Sequence, residues 1–524
     1  MGLLDWIIIA GYLAGMIALS VYLGRGQDDE EDYYVGGRKL PWWAVGISVV
    51  ATQSSAISFV SIPAFVGLRE GGGLTWLQYE LAVPLAMIVV IAVLVPYFRG
   101  LELVSVFEFI DRRFGRGTSK LLSVIFLLSR GFGTGVGVYA AAMVLATMMK
   151  TPVSLAIILI GVAAIIYDTI GGISAVVWSD VIQLGLIVLG ALICIGYALA
   201  ESGGLATAME NLDPARLVAF DPSLGLRTEE ATPFWAFLVG GFFLYAAYYG
   251  TDQSQVQRVL CTPSTSEASR SLVLNGIARL PLTGLYIALG LAVGSAYAVS
   301  PDLRAAVGEG PVDTVVPEFI VLFLPVGIRG VLLAAILAAA MSSLDSAINS
   351  LSAVTMRDYL EPAVELDDKQ KLLAGKITTV AWGVLVTAFA FAAGGIDKTV
   401  IEAINKVGSA FYGPVLATFV LGVVTRFIGG GAMVFGVLFG VGLNLALWLS
   451  GSGVHWMWWN AIGFAVTTAL AVALSTVMPN RNPAKLPFLR EVVGSTRISA
   501  SYVVLAAYFI FTLTLVLGSY ALFS

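Results

Sequence analysis

Residues 42–67 read WWAVGISVVATQSSAISFVSIPAFVG, an apolar stretch long enough to cross a bilayer but interrupted at its centre. The interruption is Ala51-Thr52-Gln53-Ser54-Ser55-Ala56-Ile57-Ser58, with Pro63 following. Thr52, Gln53, Ser54, Ser55 and Ser58 place five hydroxyl or amide side chains within seven residues. A single serine in a membrane helix can hydrogen-bond back to the preceding turn. Five together cost free energy unless they line a cavity or satisfy backbone groups released by a break. The expectation is a broken membrane-spanning helix.

The rest of the 524-residue chain supports a membrane setting, with 58% apolar and only 12% charged residues. Soluble domains carry about 25% charge, so this composition leaves too little polar surface for them. A net charge of −5 excludes the basic stripe that a nucleic-acid partner requires. The single His455 and the two cysteines, Cys194 and Cys261, offer neither a metal cluster nor a disulfide framework. No nucleophile, base and metal set converges, so the expectation is that the protein is not an enzyme.

Windows of about 20 apolar residues predict an all-α integral membrane protein with fourteen spans. They begin with 4–24, 42–67, 74–98, 119–148, 152–170, 175–200 and 232–251. The others are 271–298, 328–355, 373–394, 403–424, 428–450, 455–477 and 500–522. The first span lacks a basic n-region and a cleavage site, so it reads as a true span. Nineteen of the 29 Lys and Arg fall in loops on one face, which makes that face cytoplasmic and both termini extracytoplasmic. The stretch 201–231 reads as an extracellular loop, and the apolar run Val315–Leu324 reads as a short surface helix. Arg130, Arg279 and Lys406 are the three basic residues left inside spans.

Three further stretches carry unexpected polarity. The seventh span contains Gly240-Gly241, Tyr245, Tyr248, Tyr249, Gly250, Thr251 and Asp252. It runs opposite to the second span, and paired interrupted helices in two inverted halves point to a midplane site in a transporter. The ninth span contains Ala339-Ala340-Met341-Ser342-Ser343-Leu344-Asp345-Ser346-Ala347-Ile348-Asn349-Ser350. Ala339, Ser342, Ser343 and Ser346 share one helical face, which could serve helix packing or bind an ion. Asp345 favours the ion, because an intramembrane carboxylate needs a cation or a partner. Hydroxyl and carbonyl oxygens without thiolate or imidazole suit a hard cation. The sixth span adds a second intramembrane acid, Asp180, within Gly171–Gln183.

These residues resemble the sodium:solute symporter family, which includes sodium–glucose, sialic-acid, proline and iodide transporters. The resemblance rests on Tyr34–Trp43, Phe107-Glu108-Phe109, Arg112–Gly115, Gly171–Gln183, Thr251-Asp252-Gln253, Val256-Gln257-Arg258 and Met341–Ser350. It implies a LeuT-type fold with 5+5 inverted repeats. The implied organisation is a peripheral first helix and cytoplasmic loop (1–40), a first repeat (41–200) and the loop 201–231. A second repeat (232–427) and peripheral C-terminal helices (428–524) follow. It also implies sodium-coupled symport across the plasma (inner) membrane. The main sodium site falls on Ala51, Ser54, Ala339, Ser342 and Ser343. A second ion, which only some members bind, would use Asp180, Ser342, Asp345 and Ser346. Asp345 departs from those members, which have serine there; the extra acid could strengthen a second site or pair with Arg130 or Arg279.

The resemblance places Gln53, Ser58, Tyr79, Glu80, Tyr248 and Arg279 at the substrate and its gates, with Ser55 beside them; Lys406 and Arg130 are lesser candidates through their intramembrane charge. Tyr79-Glu80 matches the sugar branch, whereas Ile57 and Ser58 replace its sugar-binding Glu and Gln. Arg279, by contrast, could grip a carboxylate with two hydrogen bonds or form a structural pair with Asp180, Asp345 or Glu402. The reading is a small-molecule carboxylate substrate, with a sugar or polyol as the alternative. No obligatory protein partner beyond the lipid bilayer is evident.

Overall fold

A computed structural model describes residues 2–227, 232–393, 400–480 and 499–523, with the backbone alone for 400–405. Its described residues are helical apart from turns, loops and one isolated bridge, Ile428 to Pro479. The first helices are α1 Leu3–Leu23, α2 Trp42–Gln53, α3 Ala56–Gly67 and α4 Leu74–Gly100. Next come α5 Val106–Phe114, α6 Arg116–Met149, α7 Val153–Glu201, α8 Gly241–Thr251, α9 Gln253–Leu260 and α10 Thr265–Val299. The chain continues with α11 Val315–Phe323, α12 Ile328–Thr355, α13 Asp368–Ala392 and α14 Val400–Val424. It ends with α15 Gly430–Leu449, α16 Trp456–Ser475 and α17 Ala500–Phe523.

Among the described residues eleven helices are long and apolar enough to cross a membrane, or twelve with the bent pair α2–α3 counted as one. The fourteen expected spans differ from this count at two places. The fifth and sixth spans run together as α7, whose 49 residues would reach about 70 Å if straight, far beyond a bilayer; they are two helices that meet at a break. The helix instead turns at Gly172, where φ is 54° and ψ −158°. A Cβ there would lie 2.6 Å from the Tyr33 carbonyl oxygen, so only glycine fits this turn. The seventh span, expected over 232–251, is the 16-residue apolar segment Ala236–Thr251, shorter than the helices counted, and the polar helix α9 follows it after Asp252.

Burial separates core from periphery. In α12, 89% of the most apolar window is buried, against 17% in α1 and in α17. Helix α12 packs on α7, so the polar faces of both lie inside the bundle rather than against lipid. Helix α11 corrects the expectation of a surface helix over Val315–Leu324: Val315, Val316, Phe319 and Ile320 are fully buried.

Candidate functional site

The second span breaks where its polar cluster is densest. Helix α2 ends at Gln53, α3 begins at Ala56, and their axes differ by 59°. Ser54 leaves helical geometry at φ −91° and ψ 78°, and its amide donates to the Ala51 carbonyl at 2.9 Å. The Ser54 hydroxyl pairs with the Tyr286 phenol of α10. On the facing helix α12, Ser343 donates its hydroxyl to the Thr52 carbonyl at 3.2 Å. Thr52 Oγ1 lies 3.3 Å from Ser346 Oγ. Ala51, Ser54, Ala339 and Ser342 are fully buried beside this contact, and Ser343 is half-buried. The helical break and the hydroxyl face predicted from sequence therefore meet.

One turn further along, Ser342 donates to Asp180 Oδ1, and Ser48 of α2 donates to Asp180 Oδ2. Arg258 of α9 completes this group. Its Nη2 lies 3.4 Å from Asp180 Oδ2 and also donates to Ser346 Oγ. Its Nε donates to Ser48 Oγ at 2.7 Å, and its Nη1 to the Ser254 carbonyl. Arg258 lies between the seventh and eighth apolar stretches of the sequence, yet its side chain is only 1% exposed. Asp345 is turned elsewhere. Its Oδ2 accepts from the Tyr167 phenol, while its Oδ1 accepts from the Ser346 amide at 2.5 Å.

A cavity of about 220 Å³ opens beside the break. Of the expected substrate and gate residues, Gln53, Ser55, Ser58, Tyr79, Glu80, Tyr248 and Arg279 line it. Lys406 is not among the lining residues, although the adjacent Val407 is. Tyr79 stacks on Trp76 with ring centroids 5.3 Å apart and meets Tyr245 edge-on at 5.7 Å. Tyr245 also donates to the Tyr79 carbonyl at 3.0 Å, and the Tyr249 phenol donates to Gln53. Gln255 donates to the Tyr248 hydroxyl at 2.8 Å.

The intramembrane arginines have partners other than those expected. Arg279 is held by Glu80 through Nε to Oε2 at 3.1 Å and Nη2 to Oε1 at 2.5 Å. Thr283 adds a 2.8 Å hydrogen bond to Glu80 Oε1. The side chain of Glu402 lies outside the described residues. Arg130 also lines the cavity, with Nη1 3.9 Å from Asp252 Oδ2 and its guanidinium 5.7 Å from the centre of the Tyr248 ring. Its buried Nε has no hydrogen-bond acceptor among the described residues.

The sequence concealed Arg258 because Gln253-Ser254-Gln255-Val256-Gln257-Arg258 has the polarity of a loop. Its helix is N-capped by Asp252, whose Oδ1 accepts from the Ser254 amide at 2.9 Å and the Ser254 hydroxyl at 2.6 Å. Aspartate before such a run is a helix-start signal, and all eight residues of α9 are buried.

A family model described as the sodium:solute symporter family matches residues 33–440. The Sodium/sialic acid symporter NanT of Aliivibrio fischeri is 28% identical over 491 residues, covering 91% of this chain and 94% of its own. The Sodium/glucose cotransporter of Vibrio parahaemolyticus is also 28% identical, covering 85% of each chain. A solved structure of a Na+-coupled sialic acid symporter, substrate-bound and outward-open, superposes with a TM-score of 0.82 at 27% identity. That match covers 93% of this chain and 100% of the other.

Proposed function

The chain belongs to the sodium:solute symporter family, and from that premise we propose that its cargo is a small organic acid taken up by alternating access. Membership makes it a multi-pass membrane transporter coupled to sodium, with the all-helical fold of its structural relative. It moves its cargo and does no chemistry on it.

The observation that carries the carboxylate reading is Arg130. It lines the cavity, its nearest described carboxylate stands at 3.9 Å, and its Nε lacks an acceptor. A buried donor without a partner costs free energy, and an incoming carboxylate would supply two acceptors to the planar guanidinium. Arg279, the other candidate, is already engaged at Nε and Nη2 by Glu80. The relative that transports sialic acid handles a cargo of this class. A sugar or polyol is the second reading, favoured by the Glu80 carboxylate and the Tyr79 ring at the cavity wall.

For the ion, the Ser343–Thr52 contact supports a main sodium site built from Ala51, Ser54, Ala339, Ser342 and Ser343. Sodium there would join α12 to the break between α2 and α3, completing the cavity wall before cargo binds. The aromatic group around Tyr79 would then close one side, and the bundle would open past Tyr248 on the other. One sodium ion carried with a monovalent carboxylate moves no net charge, so a tenfold sodium gradient, worth roughly 1.4 kcal/mol, supports about tenfold accumulation. A neutral sugar carried with one sodium would add the ~2.3 kcal/mol of a 100 mV potential. The bias of basic residues still favours extracytoplasmic termini with Arg258 removed from the loop count.

A thermal-shift screen tests the cargo class. Sialic acid or a short monocarboxylate should stabilise the purified protein only when sodium is present. Stabilisation by glucose but by neither acid would transfer the reading to the sugar alternative.

A further inference from the structure

Helix α6 carries glycine at alternate positions, Gly131, Gly133, Gly135 and Gly137, and the four fall into two groups. A Cβ at Gly131 would lie 3.2 Å from the Trp382 ring, and one at Gly135 would lie 2.6 Å from Phe389 Cβ. Those two are small because α13 packs against them. Gly133 and Gly137 instead line the cavity, together with Arg130, Thr134 and Ala141. Positions 130, 133, 134, 137 and 141 share one helical face. At Gly133 an added Cβ would meet no atom within 4 Å.

Glycine inside a helix is less favourable than alanine unless something needs the space. Among the described residues nothing takes up the space at Gly133. Gly11 and Gly185 are equally open, but they are exposed and lie outside the cavity. The open side of Gly133 belongs to the cavity of about 220 Å³ beside the helical break.

We infer that Gly133 is a specificity-determining position, where the space left by the missing side chain receives the body of the cargo. The inference rests on the reading that Arg130 holds the cargo carboxylate. One turn of α6 separates the two residues, an axial rise of roughly 4.5 Å. A carboxylate at the guanidinium therefore brings the carbons that follow it over residue 133. Room at that point serves an acid with a wide body, such as a ring-bearing sugar acid. A short monocarboxylate is too small to use it. Gly137 continues the same open strip one turn further along α6. The discrimination is steric, and a single carbon added to such a wall is enough to alter it.

Thermal-shift titrations of the detergent-solubilised full chain in sodium test this, with sialic acid as the bulky probe and lactate as the short one. The wild type should bind sialic acid more tightly than lactate. Gly133→Val should weaken sialic acid relative to lactate by roughly tenfold or more, and Gly133→Ala by a smaller factor in the same direction. The ratio of the two affinities is the readout, since a loss of fold would weaken both acids alike. Gly133→Ala adds one carbon that touches nothing, so its melting temperature without cargo should not fall, and it decides the matter if Gly133→Val does not fold. An unchanged ratio would overturn the inference, as would a wild type that prefers lactate; both leave the carboxylate reading standing. Binding of neither acid to the wild type, or equal binding to the wild type and Arg130→Met, would remove that reading and this inference together.

Discussion

Two arginines line the same cavity and are held in opposite ways. On the wall made by α4 and α10, Arg279 meets both oxygens of Glu80 at 2.5 and 3.1 Å, with Thr283 alongside. On the wall made by α6 and the break after α8, Arg130 stands 3.9 Å from Asp252 and leaves Nε unmatched. Residue type is alike; the pairing is not. Arg279 spends Nε and Nη2 on one carboxylate and ties two helices together, whereas Arg130, with no acceptor at Nε, can engage something that arrives.

Breaking the saturated wall should produce the largest effect. Glu80→Ala leaves Arg279 buried and unpaired, which costs about 3–5 kcal/mol and should appear as a large fall in the melting temperature of the detergent-solubilised protein. Replacing Glu80 and Arg279 together by apolar residues of similar volume should recover most of that loss. If Glu80→Ala left the melting temperature unchanged, Arg279 would not be a structural cation and the contrast would collapse.

The other wall should respond in transport instead. Arg130→Met is expected to raise the half-saturating concentration of an acidic cargo at least tenfold, matching the ~1.5–3 kcal/mol of a hydrogen bond to a charged group. Its melting temperature should move far less than that of Glu80→Ala. Equal uptake kinetics in wild type and Arg130→Met would transfer the cargo contact elsewhere. At the helical break, Ser343→Ala removes one hydroxyl from the proposed sodium site. It should raise the sodium requirement of uptake by roughly fivefold, on the order of 1 kcal/mol. Unchanged sodium dependence would remove Ser343 from that site.

A third arginine–carboxylate group, which includes Glu30 in the loop between α1 and α2, extends the comparison. Glu30 lies 3.3 Å from Arg357, which also binds Glu361 at 2.8 Å. Burial pushes the Glu30 carboxyl up to about 8, with Arg357 opposing the shift and Glu361 adding to it. The folded protein therefore holds this proton more tightly than the unfolded chain does. Its contribution is full below about pH 4.5 and is lost as pH rises through about 8. Glu30→Gln should flatten the pH dependence of the melting temperature over that interval, the smallest of these effects. An unaltered profile would show that Arg357 keeps Glu30 ionised throughout.

The sequence disclosed what conflicts with a bilayer. Ser54 and Ser55 at a helical break, Asp180 and Ser342 on facing helices, and a lone Arg130 all stand out because hydrocarbon penalises them. Pairings were hidden, since Glu80 and Arg279 lie 199 residues apart and no local period links them. Arg258 was hidden for a different reason. A buried polar network and a solvated loop have the same composition, and only tertiary packing distinguishes them. At Gly172 hydropathy and backbone agree, since the break there falls between the fifth and sixth apolar stretches.

Asp252 acts at two addresses. Its Oδ1 caps α9 through Ser254, while its Oδ2 faces Arg130 across 3.9 Å. Six residues later the same helix delivers Arg258 to Asp180. Helix α9 is thus a short rod of roughly 12 Å that ties the neighbourhood of Arg130 to that of Asp180. Under the proposed sites, a cargo carboxylate drawing Arg130 from Asp252 would be felt eight residues away, at the oxygens around Asp180.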